Sequence, residues 1–150
     1  MAGGARVIEF SAMASPAPIP RRRIRILIAD DHPIIRKTVR SLLETRPDFE
    51  VLGEAVDGAQ AVRESRKIKP DAVVLNVTMP VLNGFEAARA IKTHVPHVAI
   101  VILSTHADKV FIDLAREVGA GAYVVKSQAP KALFKAIEAA VRGEELFVLA

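Results

Sequence analysis

The chain has 150 residues, 51% hydrophobic and 25% charged, with no cysteine; that length fits one domain, and the composition excludes a disordered chain, a disulfide framework and a thiolate metal site. The net charge of +4 belongs to residues 1–25, where Arg6, Arg21, Arg22, Arg23 and Arg25 face one acid, Glu9. The remaining residues carry 16 bases and 16 acids, so no basic surface for nucleic acid is expected on the folded part.

Residues 1–23 read as a flexible basic tail and linker. Val7-Ile8 is too short for the apolar core of a secretion signal, which needs about 7–15 residues. Residues 11–20 are rich in Ala, Ser and Pro, as in an extended spacer, and Met13 is an alternative start. The longest unbroken aliphatic run, Val98–Leu103, has six residues, far short of a membrane span. A cytoplasmic location is expected by default.

From Ile24 onward, short apolar runs alternate with helical periods. Ile24–Ala29 is the first predicted strand. Pro33 then takes a first helical position, with Asp31 or His32 as cap, and Ile35, Val39, Leu42 and Leu43 form an apolar stripe. Val51–Ala55 is the second strand, followed by Asp57–Lys67, helical by propensity. Ala72–Leu75 and Gly84–Thr93 repeat the pattern. Val98–Leu103 precedes the stripe Phe111, Leu114, Ala115 and Val118, which Gly119 stops. Ala122–Val125 is the fifth strand, and Pro130 opens a last helix with Leu133, Ile137 and Val141 on one face. Runs apolar throughout fit strands buried on both faces of a parallel sheet. The expectation is an α/β fold: a doubly wound, five-stranded parallel sheet, (βα)5, of order 2-1-3-4-5.

In such a sheet a ligand binds where the strand order reverses, at the C-terminal ends of strands 1 and 3. Strand 1 ends in Asp30-Asp31 and strand 3 in Asn76-Val77-Thr78-Met79-Pro80. Strand 4 ends in Ser104-Thr105 and strand 5 in Lys126-Ser127. Neighbouring strands lie about 4.8 Å apart, so the first two tips can share one small ligand, and the long stem of Lys126 can reach back to it. Two adjacent carboxylates favour a hard divalent cation, and Mg²⁺ is the one expected. His32, His94, His97 and His106 show no ligand spacing, so a histidine metal site is not expected.

Asp30-Asp31, the Asn-x-x-Met-Pro turn, Gly84, Ser104 and Lys126 together resemble the receiver domain of bacterial two-component response regulators, over residues 24–143. Residues 120–127 and 136–143 look most like the NarL/FixJ group, whose receivers precede a LuxR-type DNA-binding domain. The resemblance implies a flavodoxin-like receiver fold in which Asp30 and Asp31 bind Mg²⁺. It also implies that the end of strand 3 accepts a phosphoryl group from a histidine kinase. Lys126 and Ser104 would contact the phosphate, Tyr123 would change rotamer on activation, and Thr78 would offer its backbone carbonyl to the metal. Residues 144–150 would begin a linker toward an output domain.

The departure from the family pattern lies at its centre, because the acceptor position holds Asn76. An amide oxygen carries no full charge and is no nucleophile for phosphoryl transfer, and losing one carboxylate weakens Mg²⁺ binding. Either a natural pseudo-receiver or an engineered Asp-to-Asn substitution accounts for it. The expectation is a signalling module that acts by protein–protein contact, not an enzyme. The alternative is the receiver of a longer DNA-binding regulator, phosphorylated when Asp occupies position 76. Too few residues follow Gly143 for this chain to bind DNA through a helix-turn-helix. A flavodoxin-like cofactor binder would need phosphate-cradling glycines where Asp-Asp-His-Pro stands, and a hydrolase would need a nucleophile–base pair, which is not visible. Lys109, Asp113, Arg116, Lys131 and Lys135 give the faces used for association in the family mixed charges, so a monomer or weak homodimer is expected.

Overall fold

The aliphatic runs form one parallel sheet in the computed structural model, which describes residues 22–150. The spacer, the alternative start and the tail up to Arg21 lie outside the described residues. The strands are β1 (Ile24–Ala29), β2 (Phe49–Ala55), β3 (Ala72–Asn76), β4 (Ala99–Ser104), β5 (Ala122–Val125) and β6 (Leu146–Val148). The helices between them are α1 (Pro33–Leu43), α2 (Gly58–Ile68), α3 (Gly84–His94), α4 (Lys109–Glu117) and α5 (Ala129–Val141). The sheet order is β2-β1-β3-β4-β5-β6, so the order reverses between β1 and β3 as expected.

Five strands were predicted, and the sixth is a correction. Residues 144–150, read as the start of a linker, contain β6, which pairs with β5 through Ala122↔Leu146, Tyr123↔Phe147 and Val124↔Val148. Three residues are too few to register as an apolar run, and tertiary contacts make the strand. Phe147 stacks on Tyr123 with ring centroids 5.9 Å apart, and the Arg116 guanidinium lies 4.4 Å from the Phe147 centroid. The strand also covers the edge that β5 would otherwise leave open.

Strand alternation sorts the core into two layers. Leu27, Val73, Leu75, Ile100, Ile102 and Tyr123 pack with residues of α2, α3 and α4. Ile26, Ile28, Val74, Val101, Leu103 and Val124 pack with residues of α1 and α5. Each fully buried Ile or Leu contributes about 1.5–3 kcal/mol. Local signals fix the helix starts. Asp57, read as helical, instead caps α2 by accepting the Gln60 N–H, and Asn83 and Glu86 form a reciprocal capping box on α3. Pro33 opens α1 after His32, whose side chain makes no cap bond. Among the described residues, no helix is long and apolar enough to cross a membrane.

Candidate functional site

Parity along the strands decides which tips meet. Asp30 continues the α1–α5 face of β1, and Asn76 the same face of β3, whereas Ser104 and Tyr123 lie on the α2–α4 face. Asp30 and Asn76 are 3% and 5% exposed, so both are polar groups inside the fold and need partners. Gly84 makes the acceptor turn possible. Its N–H donates to the Val77 carbonyl at 2.7 Å, and a Cβ there would sit 2.3 Å from the Asn76 carbonyl oxygen. Only glycine allows that approach.

The Asn76 Nδ2 donates to the Thr78 carbonyl at 2.8 Å and lies 3.3 Å from Asp31 Oδ1 and 3.4 Å from Asp30 Oδ1. All three partners are acceptors, which identifies the nitrogen as the atom facing them. Lys126 Nζ reaches Asp30 Oδ2 at 3.2 Å. The structure therefore brings together Asp30, Asp31, Asn76, the Thr78 carbonyl and Lys126.

His32 joins them, a contact that the lack of ligand spacing among the four histidines does not suggest. Its Nδ1 lies 2.9 Å from Asp30 Oδ1 and 3.2 Å from Asp31 Oδ1, and its backbone N–H donates to Asp30 Oδ1 at 2.9 Å. Adjacency in the Asp-Asp-His-Pro run was the available signal. Arg36 was also missed. It donates to the Asp30 carbonyl at 2.7 Å and to Glu54 at 3.0 Å, with Arg40 on the other Glu54 oxygen at 2.8 Å. Arg40, then Arg36, hold the Glu54 carboxyl below its ordinary range.

Asp30 and Asp31 supply carboxylate oxygens, and Thr78 a carbonyl oxygen, of the kind Mg²⁺ takes. The fourth position turns an NH₂ group onto those same oxygens, and an N–H donor is not a ligand. Asp30, Asp31 and the Thr78 carbonyl fit a bound cation, and the Asn76 amide, turned as it is here, does not.

Ser104 stands apart from this cluster. Its hydroxyl is buried and accepts the His106 N–H at 3.0 Å, while Thr105 beside it is exposed. Tyr123 is fully buried and donates its phenol to the His106 carbonyl at 2.6 Å. Burial is the main cause that pushes the Tyr123 phenol above its ordinary value. His106, which links the two hydroxyls, left no trace in the sequence pattern.

Comparison with known proteins agrees with this architecture. Residues 26–138 match the response regulator receiver domain family. The chain is 37% identical over 125 residues to the uncharacterized transcriptional regulatory protein YxjL of Bacillus subtilis, covering 83% of this chain and 57% of that protein. It is 33% identical to the transcriptional regulatory protein DegU of Brevibacillus brevis, covering 83% and 53%. Among solved structures, a LuxR-family two-component response regulator from Aurantimonas sp. superposes with a TM-score of 0.79 at 40% identity, covering 83% of this chain and 89% of that one. The NarL receiver domain of Mycobacterium tuberculosis gives 0.79 at 27% identity, covering 83% and 100%. The chain thus spans a little over half the length of the curated relatives it matches. A parallel sheet of this order, an acidic pocket at its reversal point and a family match over residues 26–138 agree: the chain belongs to the response regulator receiver domain family.

Proposed function

We propose that the chain is a receiver module of two-component signalling that works by protein–protein contact and is blocked against aspartyl phosphorylation by Asn76. One observation carries this reading. The residue at the acceptor position is buried among the acids and offers them N–H groups, where phosphoryl transfer needs an anionic oxygen. Magnesium binding is weakened for the same reason. The other groups predicted for the site keep types able to act, although Ser104 and Tyr123 lie outside the pocket. Lys126 is held beside Asp30, and Ser104 and Tyr123 share the His106 backbone on the opposite face.

A histidine kinase is the proposed upstream partner, and a DNA-binding output domain or a partner regulator the downstream one. The transcriptional regulators it resembles are nearly twice as long as the matched stretch, which favours an output carried beyond this receiver. Association is proposed to be weak. On α4, Lys109 and Asp113 pair with each other at 2.6 Å, and Arg116 is engaged by Glu145 and Phe147, so neither offers a free complementary charge.

The test is phosphotransfer from an autophosphorylated histidine kinase that serves a receiver of this group. With the unaltered chain the kinase keeps its label, and with Asn76→Asp the label moves to the receiver. Label on the unaltered chain refutes the block.

A further inference from the structure

We infer that the Asn76 amide is a built-in replacement for the divalent cation: its NH₂ group ties Asp30, Asp31 and the Thr78 carbonyl together and keeps the pocket assembled without metal. The inference rests on the receiver reading of the pocket and explains its regulation.

Asp30, Asp31 and His32 bring ligand atoms within 4.8 Å of one another, and the Thr78 carbonyl lies 2.8 Å from the Asn76 nitrogen that faces both carboxylates. Like charges at that range repel, and something positive or proton-bearing must lie between them. An amide offers two N–H donors. Here one makes the short bond to the Thr78 carbonyl, and the other is directed between the two carboxylates. Lys126 takes the other Asp30 oxygen, Oδ2, and the His32 ring nitrogen meets the same Asp30 and Asp31 Oδ1 atoms at 2.9 and 3.2 Å, but of the three only the Asn76 nitrogen reaches both carboxylates and the Thr78 carbonyl.

An aspartate at position 76 would reverse this. Its oxygens would face three other oxygens, and only a cation would relieve the crowding. Asparagine changes one atom from acceptor to donor and removes the need. A cation entering the present pocket must turn the amide over, break these contacts and accept a neutral oxygen where the family has a charged one. Two costs therefore add: the missing charge and the broken clamp. A pocket closed in this way holds one arrangement whatever the magnesium concentration.

The clamp differs from a simple loss of charge in a measurable way. Asn76→Ala has the same charge as the unaltered chain but no NH₂ group. Magnesium chloride alone is titrated by calorimetry into the unaltered chain, Asn76→Asp and Asn76→Ala, with no phosphoryl donor present. The Asn76 side-chain NH₂ signals are followed by ¹H–¹⁵N NMR. The clamp predicts the tightest binding for Asn76→Asp, about a hundredfold or more weaker binding for the unaltered chain, and Asn76→Ala in between. It also predicts that the Asn76 NH₂ signals do not move at magnesium levels that saturate Asn76→Asp. Equal or weaker binding by Asn76→Ala overturns the clamp and leaves only the charge. If Asn76→Ala does not fold, the NH₂ signals decide: movement in step with saturation of Asn76→Asp overturns it. The block on phosphorylation is tested separately, so either idea can fail alone.

Discussion

Two small polar systems sit at the same end of the sheet on opposite faces. The pocket under α1 and α5 is built from charges, with Asp30, Asp31, Lys126 and His32 arranged around a buried amide. The Ser104–His106–Tyr123 system under α4 is built from packing, with neutral hydrogen bonds threading a fully buried ring. In the first, one atom decides the chemistry, because carboxylate and carboxamide have nearly the same shape and opposite roles. In the second, shape decides, because Tyr123 fills the space between β5, Phe147 and the α4 side. Altering an atom should therefore be felt mainly in the first system, and altering volume mainly in the second.

The largest expected effect tests volume. Tyr123→Ala should lower unfolding stability by about 3–5 kcal/mol in urea titration, whereas Tyr123→Phe, losing only the bond to the His106 carbonyl, should cost about 1 kcal/mol. Equal losses would mean that the hydroxyl dominates and would erase the contrast between the two systems.

Charge comes next. Lys126→Met preserves much of the stem but strips Asp30 of the Lys126 ammonium, leaving a carboxylate 3% exposed with one cation fewer. The same titration should show a loss of about 1–3 kcal/mol, and the loss should vanish if Asp30 is replaced by Asn in the same chain. A loss that survives the double substitution would assign the effect to packing.

The smallest effect is on the rim of the pocket. The carboxyl of Glu54, held below its ordinary value first by Arg40 and then by Arg36, gives stability that is present above its unfolded value of about 4.3. That stability is lost as the pH falls through the lower folded value. Partial exposure limits it to about 0.5 kcal/mol. Stability followed from neutral to acid pH should fall less steeply for Arg40→Ala.

The sequence carried the sheet and its reversal point because β1, β3, β4 and β5 are mostly apolar runs and most helices carry a cap, a proline or a stripe; β2, an edge strand with Glu50 and Glu54 that starts at Phe49 and not at Val51, is the weakest of the five signals. It did not carry β6, since Leu146-Phe147-Val148 is too short to stand out and is held by Tyr123 and Arg116, residues distant in the chain. The pocket was legible as a set of residue types at strand ends. Which way Asn76 turns its amide was not, because that depends on three acceptors from two separate strand ends. Ser104 and Lys126 both follow from strand tips in the sequence, but Ser104 ends β4 and turns to the His106 N–H, whereas Lys126 opens a 3-10 turn after β5 and reaches Asp30.

Intact mass measurement tests most directly whether the pocket is chemically blocked and architecturally intact. The unaltered chain and Asn76→Asp are incubated with acetyl phosphate, with and without Mg²⁺, and weighed. A chemically blocked but intact pocket gives no mass gain on the unaltered chain under either condition, and one phosphoryl group on Asn76→Asp when Mg²⁺ is present. A phosphoryl adduct on the unaltered chain, or none on Asn76→Asp, would contradict it.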